Sequence, residues 1–188
     1  MTGADARPFT VERTQIAGLV VIQMKQVSDP RGTVRELFRW SAMAEAGLEV
    51  GPWRQINVTE TQRGAIRGLH GENMTKLVAV VSGEAFGAYV DARTGSPTTG
   101  RTVTVPLTLG TQVLVPPRVC NGFQSVSVEP TQYVYCFDHE WTPGMDGVAI
   151  HPFDPALAIP WPIAIDPNDP AMLSPKDAAQ PALSTVLG

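Results

Sequence analysis

Residues 65–93 read A-I-R-G-L-H-G-E-N-M-T-K-L-V-A-V-V-S-G-E-A-F-G-A-Y-V-D-A-R, and the rest of the chain is read outward from them. Arg67, His70 and Lys76 lie close together in this stretch. Two strongly β-patterned runs follow at once, residues 77–81 and 85–90. A guanidinium, an imidazole and an ammonium beside rigid sheet favour a site for an anionic, carbonyl-bearing ligand over a generic surface.

Upstream, residues 18–23 (G-L-V-V-I-Q) read as a buried strand. S-D-P-R-G at 28–32 reads as a turn, and residues 33–38 as a second strand with Arg35 on a partly polar face. Ser41 is expected to cap a short helix over 42–46, which Gly47 ends. Residues 53–62 alternate: Trp53, Gln55, Asn57, Thr59 and Thr61 point one way, and Arg54, Ile56, Val58 and Glu60 the other. Gln55 and Asn57 beside Trp53 suit a ligand-facing wall. In isolation the same pattern reads as a solvent-exposed strand.

Downstream, T-G-S-P at 94–97 is a turn, with strands over 101–105 and 112–115. Residues 123–128 and 132–137 are expected to form a hairpin across Glu129-Pro130, with a last strand over 147–150. After Pro152 the prolines crowd, which predicts an irregular C-terminal wrap over 152–188 rather than a second core. Ser174 and Pro175 open a short closing helix. About ten short strands between turns give an all-β sandwich or jelly roll, with no repeat and a single domain over 1–188.

Composition agrees. The chain has 188 residues, 43% of them hydrophobic, which allows a sizeable core. Seventeen Gly and seventeen Pro fit many turns. Fourteen basic and 18 acidic residues give a net charge of −4, with no basic run to attract nucleic acid or an anionic membrane. Cys120 and Cys136 are the two cysteines, and they read as buried thiols. With no apolar leader or membrane-length run, the expectation is a cytoplasmic protein.

The histidines are His70, His139 and His151. No HxH or HExxH occurs, and His70 with Glu72 makes only two ligands, so no metal is expected. There is no phosphate loop and no G-x-S-x-G, and both thiols sit in apolar strand surroundings. A metal-free general base remains, and His70 can serve near neutral pH. A lone His is more often structural. Arg67 and Lys76 nearby tilt the reading toward a substrate that is, or becomes, negatively charged.

Further motifs join these. They include D-P-R-G at 29–32 with Glu36, Q-x-N at 55–57, R-G-L-H at 67–70, and K-L-V at 76–78. G-E-A-F at 83–86 leads into Y-V-D-A-R-T-G-S-P-T-T-G-R at 89–101. P-P-x-x-x-N-G-F stands at 116–123, D-P-A-L-A-I-P-W-P at 154–162 and L-S-P-K-D at 173–177. In order and spacing the set resembles the dTDP-4-dehydrorhamnose 3,5-epimerase (RmlC-like) family of nucleotide-sugar epimerases, from about Asp29 to Asp177.

The resemblance implies a cupin-type jelly roll with a few short peripheral helices. It also implies a homodimer in which N-terminal strands over 9–40 are exchanged or paired, and no cofactor. The implied substrate is a dTDP-4-keto-6-deoxyhexose, epimerised at C3, C5 or both through an enolate. Carried over by position, His70 is the base, Asp177 orients it, Lys76 sits by the 4-keto oxygen and Tyr135 is the opposing acid. Arg31, Glu36, Gln55, Asn57 and Arg67 handle nucleotide and pyrophosphate, some of them across the dimer. Without the resemblance, Asp177 reads as a solvated helix-end charge and Tyr133 competes with Tyr135. Trp53, Phe123 and Trp141 read as packing residues.

The chain departs from the family pattern in several places. Asn121 stands where a His is usual and Gly87 where an Asp is usual. The 70–76 loop is short, Val34 replaces an aromatic and Glu140 a tyrosine. Asn121 can still hydrogen-bond a substrate oxygen but cannot move a proton. These departures favour a specialised epimerase that inverts one centre. The alternatives are a 3,4-ketoisomerase and a non-catalytic nucleotide-sugar binding module.

Overall fold

The computed structural model describes residues 5–188; residues 1–4 lie outside the described residues. Strands β1 (Asp5–Arg7), β2 (Thr10–Arg13), β3 (Val20–Gln23), β4 (Gln26–Asp29) and β5 (Gly32–Arg35) precede helix α1 (Trp40–Glu45). Then come β6 (Gln55–Thr61), β7 (Ile66–Glu72), β8 (Lys76–Ser82), β9 (Ala85–Asp91) and β10 (Thr102–Leu107). β11 (Thr111–Val115), β12 (Val119–Ser125), β13 (Thr131–Phe137) and β14 (Gly147–Ala149) complete the strands. The tail holds a short 3-10 turn, Pro155–Leu157, and helices α2 (Pro175–Ala178) and α3 (Leu183–Leu187).

A six-stranded sheet, ordered β2-β3-β11-β8-β13-β6, faces a five-stranded sheet, ordered β10-β9-β12-β7-β14. Neighbours within them are antiparallel. This is the jelly roll that the sequence predicts. A third, small sheet β1-β4-β5 stands beside them.

Val78, Val80, Tyr89, Leu107, Phe123 and Tyr133 form part of the core between the facing sheets. The outer face of the six-stranded sheet packs Ile22, Leu77 and Ala79 against Met43 of α1 and against Leu48. The outer face of the five-stranded sheet packs Leu69, Val90 and Cys120 against Leu157 and Leu183 of the tail. The tail therefore covers a surface that would otherwise be an exposed apolar face.

Three local expectations are corrected. The hairpin expected between 123–128 and 132–137 does not exist. β12 pairs with β7 and β9, whereas β13 pairs with β6 and β8. The chain crosses between sheets there, and the Phe123 and Tyr133 rings stack face to face across the sandwich, centroids 4.0 Å apart. The helix starts two residues early, at Trp40. Its N-cap is Arg39 with no side-chain cap, so Ser41 lies inside the helix instead of capping it. Gly47 does end the helix. Its φ of +68° lets Gly47 and Leu48 donate back to the carbonyls of Ala44 and Met43. The strand expected over 33–38 stops at Arg35, opposite Gln26, and one further bond, from the Glu36 N–H to the Lys25 carbonyl, closes the pairing with β4.

Candidate active site

A cleft of about 420 Å³ is lined by strands of both facing sheets and by the tail. β7 brings Arg67, His70 and Glu72 to it, β8 brings Lys76, and β12 brings Asn121. β13 brings Tyr135, β6 brings Gln55, Asn57 and Thr59, and the tail brings Asp177.

The placement of β7 side chains departs from simple alternation. In a regular strand Arg67 and His70 point to opposite faces. Here β7 runs past β12 with a register shift, Asn121 opposite His70 but Phe123 opposite Arg67. Gly68 sits at the shift with φ +121°, and a Cβ there would lie 2.5 Å from the Gly122 Cα. The bulge turns both Arg67 and His70 into the cleft while Leu69 stays fully buried.

His70 Nε2 lies 2.7 Å from Asp177 Oδ1. Ser174 caps α2 by accepting from the Asp177 N–H, and Pro175 takes the first helical position. Burial would raise the Asp177 carboxyl, but the His70 imidazole, the Ser174 hydroxyl and the Gly68 N–H hold it below the usual carboxylate range. A carboxylate only accepts, so the contact places a proton on His70 Nε2, and the tautomer it selects for the neutral imidazole has its lone pair on Nδ1.

Lys76 is 3% exposed. Its ammonium donates to the His70 carbonyl at 3.0 Å and to Asn121 Oδ1 at 2.7 Å, and it pairs with Glu72. Burial would raise the Glu72 carboxyl, but the attraction of Lys76 outweighs it and the net shift is downward. Tyr135 faces His70's strand from the opposite sheet. Burial raises its phenol well above the ordinary value, so it is protonated at neutral pH. Tyr133 is fully buried in the core and does not reach the cleft.

The Arg67 guanidinium donates to Thr61 Oγ1 at 2.8 Å and to the Glu60 carbonyl at 3.2 Å. Gln55 donates to Asn57 Oδ1 at 3.1 Å and accepts from the Trp141 N–H at 2.7 Å.

A family model described as dTDP-4-dehydrorhamnose 3,5-epimerase matches residues 13–185. The chain belongs to that family. It is similar to the dTDP-4-dehydro-6-deoxyglucose 3-epimerase of Streptomyces bikiniensis, 34% identical over 164 residues, 84% of this chain and 81% of the relative. Among solved structures it is similar to NovW of Streptomyces spheroides, a 4-keto-6-deoxy sugar epimerase from the novobiocin biosynthetic gene cluster. The TM-score is 0.87 at 28% identity, covering 96% of this chain and 90% of that one. The RmlC 3,5-epimerase of Legionella pneumophila, solved with dTDP-4-keto-L-rhamnose, gives a TM-score of 0.84 at 33% identity, covering 96% and 97%.

Within this epimerase fold the residues expected of the site divide. His70, Lys76, Tyr135, Asp177, Gln55, Asn57, Arg67 and Asn121 share the cleft. Arg31 and Glu36 do not line it. Arg31 pairs locally with Asp29 at 2.6 Å, and Glu36 pairs with Arg39. Trp53 also leaves the expected wall. It precedes β6 and packs edge-on against Phe38, ring centroids 5.7 Å apart.

Trp141, read as packing, instead lines the cleft and is 43% exposed. Glu72 was missed as a site residue, although its place two residues after His70 put it on the same strand face. At Gly87 a Cβ would lie 2.9 Å from the Tyr89 hydroxyl, so the tyrosine fills the space of the usual Asp side chain. Burial pushes the Cys120 thiol up to about 12 and that of Cys136 to about 11, which leaves neither a nucleophile. Among the described residues no group of three His, Cys, Asp or Glu side chains could hold a metal, and no helix is long and apolar enough to cross a membrane.

Proposed function

We propose that this protein epimerises a dTDP-4-keto-6-deoxyhexose at C3, with C5 inverted slowly or not at all. His70 Nδ1 removes the proton next to the C4 carbonyl, and Asp177 steadies the imidazolium that results. Lys76 holds the enolate oxygen in a pocket sheltered from water, a contact whose loss costs roughly 3–4 kcal/mol. Tyr135 returns a proton to the other face of the ring, which inverts the carbon. Arg67 receives the pyrophosphate through paired hydrogen bonds, and Trp141 with Gln55 and Asn57 flanks the nucleotide.

The observation that carries this reading is the placement of His70 and Tyr135 on opposite sheets of one cleft, with the Lys76 ammonium in that cleft. The relatives named above act on sugars of this class. Asn121 and Gly87, which leave no imidazole–carboxylate pair at those positions, favour one centre over two. Following solvent deuterium into C3 and C5 of the 4-keto-6-deoxyglucose nucleotide tests it. Label at C3 alone, with inversion, is the expected result. Inversion at both carbons rejects the single-centre reading, and a migrated carbonyl rejects epimerisation.

We also infer a cytoplasmic homodimer. Two unpaired buried cysteines suit a reducing compartment. The edge strand β6 turns Ile56 and Val58 outward, 60% and 59% exposed, a surface suited to a second copy. Arg31 and Glu36 then serve the partner's cleft instead of their own.

A further inference from the structure

The Lys76 ammonium has three N–H bonds; it donates to the His70 carbonyl and to Asn121 Oδ1, and it lies in ion-pair contact with Glu72, whose Oε2 is buried with no hydrogen-bond partner among the described residues. A ketone oxygen approaching the ammonium takes the place of whichever of these three contacts gives way most easily. The His70 carbonyl belongs to the backbone of β7, and Asn121 is buried on β12 between two paired strands. Glu72 is the terminal residue of β7, its side chain is 20% exposed and faces the cleft, and among the described residues no other side chain donates to its carboxylate. It is the acceptor free to move.

We propose that Lys76 and Glu72 together read an α-hydroxy ketone, the ammonium taking the carbonyl oxygen and the displaced carboxylate accepting from the hydroxyl on the adjacent carbon. Such a ligand carries an acceptor and a donor on neighbouring carbons, and the pair offers the complementary donor and acceptor side by side. The inference rests on the epimerase reading, because it takes Lys76 as the seat of the carbonyl. It adds a residue which that reading does not use and a requirement on the substrate. In a 4-keto-6-deoxy sugar, C5 bears the ring oxygen and a methyl group, so the hydroxyl read is that on C3. A ketone without it displaces Glu72 from Lys76 and leaves the carboxylate with no donor, which a polar site penalises strongly.

Titrating the 4-keto-6-deoxy nucleotide sugar and its 3-deoxy analogue into an H70N background measures binding without turnover. The parent is expected to bind the 3-hydroxy ligand roughly tenfold or more tightly than the analogue, the weight of a charged hydrogen bond. E72L is expected to abolish the preference. E72Q, whose amide oxygen accepts without charge, is expected to keep a reduced one. Equal binding of the two ligands by the parent overturns the proposal, as does an undiminished preference in E72L. If E72L does not fold, E72Q decides, and a ratio unchanged from the parent overturns it. The epimerase reading fails separately, through absence of deuterium exchange in the wild type, and leaves this binding ratio measurable.

Discussion

His70 Nε2 and Asp177 Oδ1 lie 2.7 Å apart although 107 residues separate them in sequence. One sits on β7 and the other in the first turn of α2, so the tail that seals the outer sheet also completes the site. The contact gives Asp177 a directional task, because it decides which imidazole nitrogen holds the proton. D177N presents an amide that can donate to Nε2, which favours the opposite tautomer. Deuterium exchange at the carbon next to the carbonyl is expected to slow by roughly 10²–10⁴-fold. Exchange at the wild-type rate would show that Asp177 is only a capping charge.

Tyr135 separates proton removal from inversion. In Y135F the base remains and the acid on the far face is gone. The carbon is expected to exchange its proton with solvent through His70 while inversion falls by roughly 10²-fold or more. Configuration and label in the recovered sugar, read by NMR, check this. Loss of exchange and inversion in equal measure would contradict the assigned order of steps.

The Y-V-D-A-R-T-G-S-P-T-T-G-R motif has a structural task. Asp91 is fully buried and accepts from Arg93 at 2.8 Å and from Ser96 at 2.6 Å, while Arg93 and Thr98 also tie down Ala17. Burial would raise its carboxyl, but the hydrogen bonds from Arg93, Ser96 and Thr98 bring it far below the ordinary range. A depressed folded-state pKa contributes stability that is present above about pH 4 and is lost as pH falls through the lower folded value. D91N is expected to cost about 3 kcal/mol at neutral pH and to flatten the acid limb of stability, with kcat per folded molecule unchanged. Denaturant melts from about pH 5 down to about pH 2, which start above the ordinary carboxylate value and run below it, measure it.

Gly68 sets the phase of β7. G68A places a methyl 2.5 Å from the Gly122 Cα at a φ of +121°. Strain and overpacking together are expected to cost roughly 2–5 kcal/mol and to disturb the alignment of Arg67 with His70. Nucleotide affinity and exchange are expected to fall together, read by dTDP titration and the deuterium assay. A stable, fully active variant would mean that the bulge does not orient these residues.

Much of this was legible from one dimension. The short apolar runs at 77–81 and 85–90, rich in Val and carrying Phe and Tyr, mark strands wherever they end up, and Gly47, Ser174 and Pro175 carry their turn and cap preferences locally. The chemistry of Arg67, His70 and Lys76 is likewise a property of the residues. Strand partners are different, because alternation fixes faces and says nothing of neighbours. Residues 123–128 and 132–137 look like a hairpin until the Phe123–Tyr133 stack shows them on opposite sheets. The bulge at Gly68, the contacts of Lys76 with Asn121 and Glu72 and the position of Arg31 and Glu36 away from the cleft are likewise tertiary. They depend on contacts between segments distant in the chain, and only packing brings those segments together.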